Sequence, residues 1–411
     1  MLHRSMRSAT IGQTQPDIPG SRLQARPPLV ILFLALLAPA AIHMPQPLLP
    51  SLSLLFQRDP AEVALFMTLV LAPLGIMPVV YGYLLEGFST RSLLIVTTLV
   101  MAASGLWLWS QPEYGNWMLA RALQGLALPA LMTAVMTMLS VSVPREARAH
   151  AMGLYVAATI VGGYSGRLLA GWLSDNSDLT TPFLIMAICY LVALPGLLLL
   201  KKDSGAGFAQ IRLPVALSIL RLPRFAAAYV MIFAVFFVFT AVLTLLPFEL
   251  RNRDSTITDF QLGLLYSGYL TGLLVSLNIR RLRERFVITT RLVMIGLATF
   301  GFGTLLLLLH GYLASFLVLF LFCGGMFLIH TTLSGLLNHS LDRHFGVING
   351  LYLASYYLGG ALGSQLPGYL YEAYGWESVI LLCLLLLLFC LWLLPVLAKE
   401  PVAETAPLSK G

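Results

Sequence analysis

Apolar residues come in long unbroken runs along this chain, and each run ends in a short cluster of polar or basic residues. A hydrocarbon core of roughly 30 Å takes about 20 apolar residues of helix to cross. The runs predict twelve such spans, over residues 28 to 50, 62 to 84, 92 to 111, 117 to 139, 148 to 173, 181 to 200, 225 to 248, 260 to 279, 292 to 310, 313 to 337, 346 to 370 and 376 to 397. The longest polar break, residues 201 to 224, holds Lys201, Lys202, "DSGAG", Arg212, Arg221 and Arg224 and divides the spans into six and six. The pattern predicts an all-α integral membrane protein. An N-terminal six-helix domain fills residues 28 to 200 and a C-terminal one residues 225 to 397, joined by a cytoplasmic linker over 201 to 224. Polar cytoplasmic tails cover 1 to 27, expected to be disordered, and 398 to 411.

Composition agrees: 58% of residues are hydrophobic and 10% charged, with a mean hydropathy of +0.85, outside the range of water-soluble domains. The net charge of +7 would suit a polyanionic partner, but the placement of the basic residues decides against it. Of 25 Lys and Arg, 20 fall in the tails and in every second loop; Arg58, Arg251 and Arg253 lie in the other loops, and Arg121 and Arg167 inside spans. That asymmetry is the positive-inside pattern, which puts both termini in the cytoplasm and implies no nucleic acid. The four cysteines sit in apolar spans without metal-ligand spacing and read as small hydrophobes. There is no Gly-rich loop ending in Gly-Lys-Ser/Thr, so ATP is not the expected energy source, and no cofactor or metal is implied.

The two halves share a phrase. Shifted by 197 positions, "GLYVAATIVGGYSGRLLAGWLSD" at residues 153 to 175 falls on "GLYLASYYLGGALGSQLPGYLYE" at 350 to 372, with ten of 23 residues identical. Both segments are the fifth span of their half, as a parallel duplication requires, and such duplications place a binding site between the halves near the midplane. Small residues recur every fourth position, Ala158, Gly162, Gly166 and Ala170 in one copy and Ser355, Gly359 and Gly363 in the other. That spacing lets a neighbouring backbone approach closely, in a static or a sliding contact.

Three motifs carry a family resemblance over residues 28 to 397. The loop after the second span reads "GYLLEGFSTRSLL"; in the fourth span stands "RALQG"; and in the fifth, Gly153, Gly162, Gly166, Arg167, Ala170 and Gly171 follow the spacing Gly-x8-Gly-x3-Gly-Pro-x2-Gly-Gly. The chain thereby resembles the major facilitator superfamily, and with "QPLLP" in the first span it is similar to the YnfM-type subgroup of bacterial inner-membrane transporters, grouped with drug exporters. Departures are Glu86 for an Asp, Ser89 for a Gly, Thr90 for one basic residue, Arg167 at the proline and Ala170 at a glycine of the antiporter motif. The resemblance implies two six-helix domains rocking about a site lined mainly by spans 1, 4, 7 and 10. It also implies a conformational gate at Gly82, Glu86 and Arg91, although those two charges equally suit a solvated loop.

Ionisable residues inside a membrane are costly and point to function. Arg121 and Arg167 stand about one and two turns below the outer ends of their spans, and Gly163 and Gly171 flank Arg167 at one turn either side. Arg167 either shares a polar network with Arg121 and Gln124 that shapes substrate or proton coupling, or snorkels about 12 Å to the headgroups as an anchor. No Asp or Glu lies in the middle of a span. Candidates for proton coupling are therefore His43 and His330 together with Arg121 and Arg167, because histidine titrates near neutral pH; an interface histidine is the alternative. Gln46, among Pro39, Pro45, Pro47 and Pro50, is a candidate substrate contact where freed carbonyls tolerate a cavity. Phe236 in "MIFAVFFVF" is a candidate aromatic wall, and His43, Arg121, Gln124 and His330 complete the candidate cavity.

The leading expectation is a monomeric, proton-coupled exporter of small amphipathic molecules in a bacterial inner membrane, working by alternating access and with no catalytic residues. A carrier for a small organic anion, for uptake or exchange, is the alternative that two intramembrane arginines suit. A channel suits tandem halves less well. An intramembrane serine hydrolase is suggested only by "GYSG" around Ser165, with His330 as its one tempting base.

Overall fold

The computed structural model describes residues 28–84, 88–200, 213–285, 289–309, 311–338 and 345–399. The apolar runs fold as helices: α1 (Leu29–His43), α2 (Leu49–Phe56), α3 (Pro60–Leu84), α4 (Thr90–Ser110), α5 (Tyr114–Ser142), α6 (Arg148–Asn176), α7 (Thr181–Leu198), α8 (Leu213–Leu220), α9 (Pro223–Arg253), α10 (Asp259–Leu265), α11 (Tyr269–Arg285), α12 (Thr289–Leu306), α13 (Tyr312–Asn338), α14 (Phe345–Tyr374) and α15 (Trp376–Ala398). Two of the expected spans are composite. The first breaks between α1 and α2 at a 3-10 turn over Gln46–Leu48, where Pro45 and Pro47 lack the N–H groups an α-helix needs. The eighth breaks at Tyr266–Gly268 between α10 and α11, without a proline. Expected linker residues hold α8, which at eight residues is too short to span.

Among the described residues nine helical stretches are long and apolar enough to cross a membrane, and Thr290–Leu306 is a shorter apolar helix. The long helices α6 and α14 fall outside that set, and both carry the small-residue faces and polar side chains of the repeat. Helix α9 is buried along nearly its whole length, whereas α15 presents Leu381, Leu385, Leu388 and Trp392 outward, as a lipid-facing helix does.

The 197-residue offset survives in three dimensions. A Cβ placed at Gly162 or Gly166 would run into the backbone of Leu36 or Ala40 on α1, and one at Gly359 or Gly363 into that of Phe233 or Phe237 on α9. Each of these four partners is also related by 197 positions, 36 to 233 and 40 to 237. The close approach of α6 to α1 is thus repeated by α14 and α9, each made possible by absent side chains.

The helices before residue 200 and those after 223 meet along two seams, α3 against α14 and α6 against α10. Gly171 and Gly368, again 197 apart, bring α6 against the backbone of Asp259 and Phe260 and α14 against Ala61. The bundle end carrying these contacts is called the Asp259 end below.

Candidate functional site

Arg121 on α5 is 1% exposed and spends its donors on backbone. It donates from Nε to Phe66 O at 2.9 Å, from its terminal nitrogens to Ala41 O and Ile42 O at 3.0 Å each, and to Gln124 Oε1 at 2.7 Å. The Ala41 carbonyl is free because its α-helical partner would be the N–H that Pro45 lacks. The break in the first span and the buried arginine are therefore one construction: the proline frees a carbonyl and the guanidinium satisfies it.

Arg167 on α6 is fully buried and makes a different set of contacts. Nε donates to Gln46 Oε1 at 2.7 Å, one terminal nitrogen to Gly163 O at 2.9 Å, and the other to the Tyr269 hydroxyl at 3.0 Å. Its guanidinium carbon also lies 4.6 Å from the ring centre of Tyr266 and 4.5 Å from that of Tyr269, within cation–π range. The side chain thus reaches from α6 across to Tyr266 and Tyr269, after residue 223, instead of to a headgroup. Expected to share one network, Arg121 and Arg167 belong to two, and only Gln124 joins Arg121 as anticipated. His43, the last residue of α1, lies within electrostatic range of both arginines, and its buried Nδ1 has no hydrogen-bond partner. Among the described residues, neither arginine forms an ion pair.

The opposite wall comes from α9, α13 and α14. Phe236 stacks on Tyr356 with ring centres 3.5 Å apart and planes at 15°. His330 packs 5.0 Å from the Tyr356 ring, with its Nδ1 2.9 Å from the Tyr352 hydroxyl. Tyr356 precedes Ser364, the α14 counterpart of Arg167, by eight residues, about 12 Å of helix, so this wall stands farther from the Asp175 and Glu372 ends of these helices than Arg167 does. Between α1, α5 and α6, Leu34, Ala38, Met132, Val135, Tyr155 and Thr159 line a narrow apolar crevice too tight to hold a water molecule.

At the Asp259 end the halves are tied by polar bonds that the sequence reading did not single out. The Asp259 carboxylate accepts from Ser51 Oγ at 2.7 and 2.9 Å, from Ser174 Oγ at 2.7 Å and from Arg251 at 2.8 Å. Asp175 accepts the N–H groups of Asp259 and Phe260 at 3.1 and 2.8 Å. On the other seam Glu372 accepts Ala61 N–H at 2.7 Å, Gln365 donates to Ala61 O at 2.8 Å, and Thr68 meets the Ser364 hydroxyl at 2.8 Å. The available signal was the offset itself, since Asp175 and Glu372 end the repeated phrase.

Of the expected gate, Gly82 lies in the last turn of α3, Glu86 falls outside the described residues, and Arg91 donates to Leu198 O at 2.6 Å. In the antiporter-like motif Gly162, Gly166, Ala170 and Gly171 lie against neighbouring helices or the core, whereas Gly153 faces open space. The Ser165 hydroxyl turns back to Gly162 O at 3.4 Å.

The sequence model of the Major Facilitator Superfamily matches residues 31 to 363 and 252 to 410. The chain belongs to the major facilitator superfamily. Its members are secondary transporters and not enzymes, which disposes of the hydrolase alternative. The inner membrane transport protein YnfM of Escherichia coli is 27% identical over 361 residues, 83% of this chain and 82% of its own length. The uncharacterized MFS-type transporter YybF of Bacillus subtilis is 22% identical over 88% of this chain and 90% of its own length. Among solved structures, the nucleoside transporter NupG superimposes with a TM-score of 0.72 at 12% identity, covering 90% of this chain and 98% of that one. A bacterial homolog of the human lysosomal transporter Spinster, solved in an inward-facing and occupied conformation, gives 0.65 at 12% identity over 90% and 95%. Both share the all-helical fold.

Proposed function

We propose that this chain is a proton-coupled exporter of small amphipathic organic molecules. It acts as a monomer in a bacterial inner membrane, with both termini and the 201 to 224 linker in the cytoplasm. The helices before residue 200 and those after 223 act as two domains that rock about the buried polar core, with His43 and Arg167 nearer the Asp259 end and His330 and Tyr356 deeper. The observation that carries this reading is the tying of the two halves at the Asp259 end, about two helical turns beyond Arg167. With that end outward, the seal is the external gate of a carrier whose site faces the cytoplasm. His43 and His330 supply the proton sites, and the aromatic wall of Phe236 and Tyr356 takes the apolar part of the cargo.

A carrier of small organic anions is the second reading, favoured by two buried arginines that form no ion pair among the described residues. The test uses inverted membrane vesicles holding a proton gradient, reported by a pH-sensitive dye and challenged with neutral, cationic and anionic amphiphiles. Dequenching by particular compounds, absent without the protein, supports proton-coupled export. Silence across a panel handled by a control exporter overturns it.

A further inference from the structure

Arg167 carries its charge fully buried and without an ion pair among the described residues. A guanidinium removed from water is normally met by a carboxylate, because neutral partners replace only part of its hydration. Here its described partners are an amide oxygen, a backbone carbonyl, a phenol and two aromatic faces, all neutral. Three of its five N–H groups are engaged in these bonds, leaving two donors. Beside it the buried Nδ1 of His43 lacks a partner as well. Gly163 lies beside both: an added Cβ there would stand 3.6 Å from Arg167 Nη1 and 3.8 Å from His43 Cδ2, with no atom of another helix nearer than these. The absent side chain leaves a niche whose two named neighbours are a cation and an imidazole.

We propose that this niche is an anion subsite, in which Arg167 and His43 receive the carboxylate of a small aromatic acid whose ring lies against Tyr269 and Tyr356. The inference rests on the carrier reading above and names the cargo class of the same site. Arg121 does not add to the subsite, because carbonyls and Gln124 hold its donors. One guanidinium is thus available, which matches a monoanion. A planar carboxylate also fits the fork of guanidinium donors in a way that a neutral group does not. The ring preference follows from the wall: Tyr269 stands at the guanidinium, and Tyr356 is held flat on Phe236. In the second half the counterpart of Gly163 is Gly360, closed by the Phe236 ring, and that of Arg167 is Ser364, bonded to Thr68, so the niche is not repeated there.

The test measures equilibrium binding of radiolabelled naphthoate to the purified full chain in detergent micelles, with naphthylmethanol and naphthylmethylamine as neutral and cationic competitors. Wild-type protein is expected to bind naphthoate and to prefer it at least tenfold over both competitors. Arg167→Gln is expected to weaken naphthoate at least tenfold while leaving the neutral compound within about twofold. If Arg167→Gln does not fold, Gly163→Ala decides: its methyl fills the niche at ordinary contact distance, so the melting temperature is retained while naphthoate binding falls at least fivefold. Naphthoate binding unchanged in Gly163→Ala, or equal affinity for the three compounds, overturns the subsite. Vesicles that respond to neutral amphiphiles while the protein ignores naphthoate leave the carrier reading standing and remove this inference alone.

Discussion

Asp175 and Glu372 stand 197 positions apart and make the same bond on opposite seams. Each is a carboxylate near the end of a fifth span that accepts backbone N–H groups at the start of a helix in the other half, Asp175 at Asp259 and Phe260, Glu372 at Ala61. Negative charge at a helix start also complements the helix dipole, so each bond is both a cap and a charge contact. One duplicated device thus fastens both sides of the Asp259 end. We expect Asp175→Ala and Glu372→Ala each to weaken the closed end by about 1 kcal/mol, and the double variant to shift the equilibrium roughly tenfold or more toward opening there. The measurement is labelling of Tyr356→Cys, in a background free of the four native cysteines, by a membrane-impermeant thiol reagent applied outside intact cells. Labelling of the double variant no faster than its parent refutes the latch.

Arg121 holds the broken first span together, so its loss should be felt in folding before it is felt in binding. Arg121→Ala leaves the carbonyls of Ala41 and Ile42, at the broken end of α1, buried without a donor, at a cost of about 1–3 kcal/mol each, and removes a second bond to Phe66 O. We expect a melting temperature several degrees lower or more, and poor recovery in gel filtration. Arg121→Lys should not restore it, because an ammonium cannot reproduce the fork of donors. A stable Arg121→Ala protein that merely fails to transport would reassign this residue to coupling.

The duplicated glycine contacts predict paired effects. Gly162→Ala and Gly359→Ala drive a methyl into the backbones of Leu36 and Phe233 and should each destabilise by about 1–3 kcal/mol. Gly153→Ala, with nothing within 4 Å, should be neutral or slightly stabilising. Thermal unfolding of the three variants in one detergent checks the ordering.

Proton coupling assigned to His43 and His330 predicts that the double variant His43→Ala, His330→Ala reaches the membrane at normal levels yet produces no dye dequenching with any compound that the parent exports. Dequenching at the parental rate removes both histidines from coupling.

The apolar runs made the spans legible, and most helix ends fall within a few residues of expectation, because length and hydropathy are all a bilayer demands. The eighth span hid its break at Tyr266–Gly268, since no proline marks it. Gln124 was found as Arg121's partner because residues three apart share a helix face. Gln46 and Tyr269 were not found as partners of Arg167, because which residue meets which across helices depends on the depth and rotation of each helix, and hydrophobicity carries neither. The same gap hid Asp259, whose partners Ser51 and Ser174 come from two other helices.

The absence of an acid beside Arg167 has an electrical side. A positive charge held within the bilayer's field, and not neutralised by a neighbour, couples to the membrane voltage whenever its distance from either surface changes. A full crossing of that field is worth about 2.3 kcal/mol per charge per 100 mV. Arg167 bridges α6 to Tyr269 on α11, so under the rocking proposed above even a fraction of that energy makes voltage a bias on which face of the carrier is open.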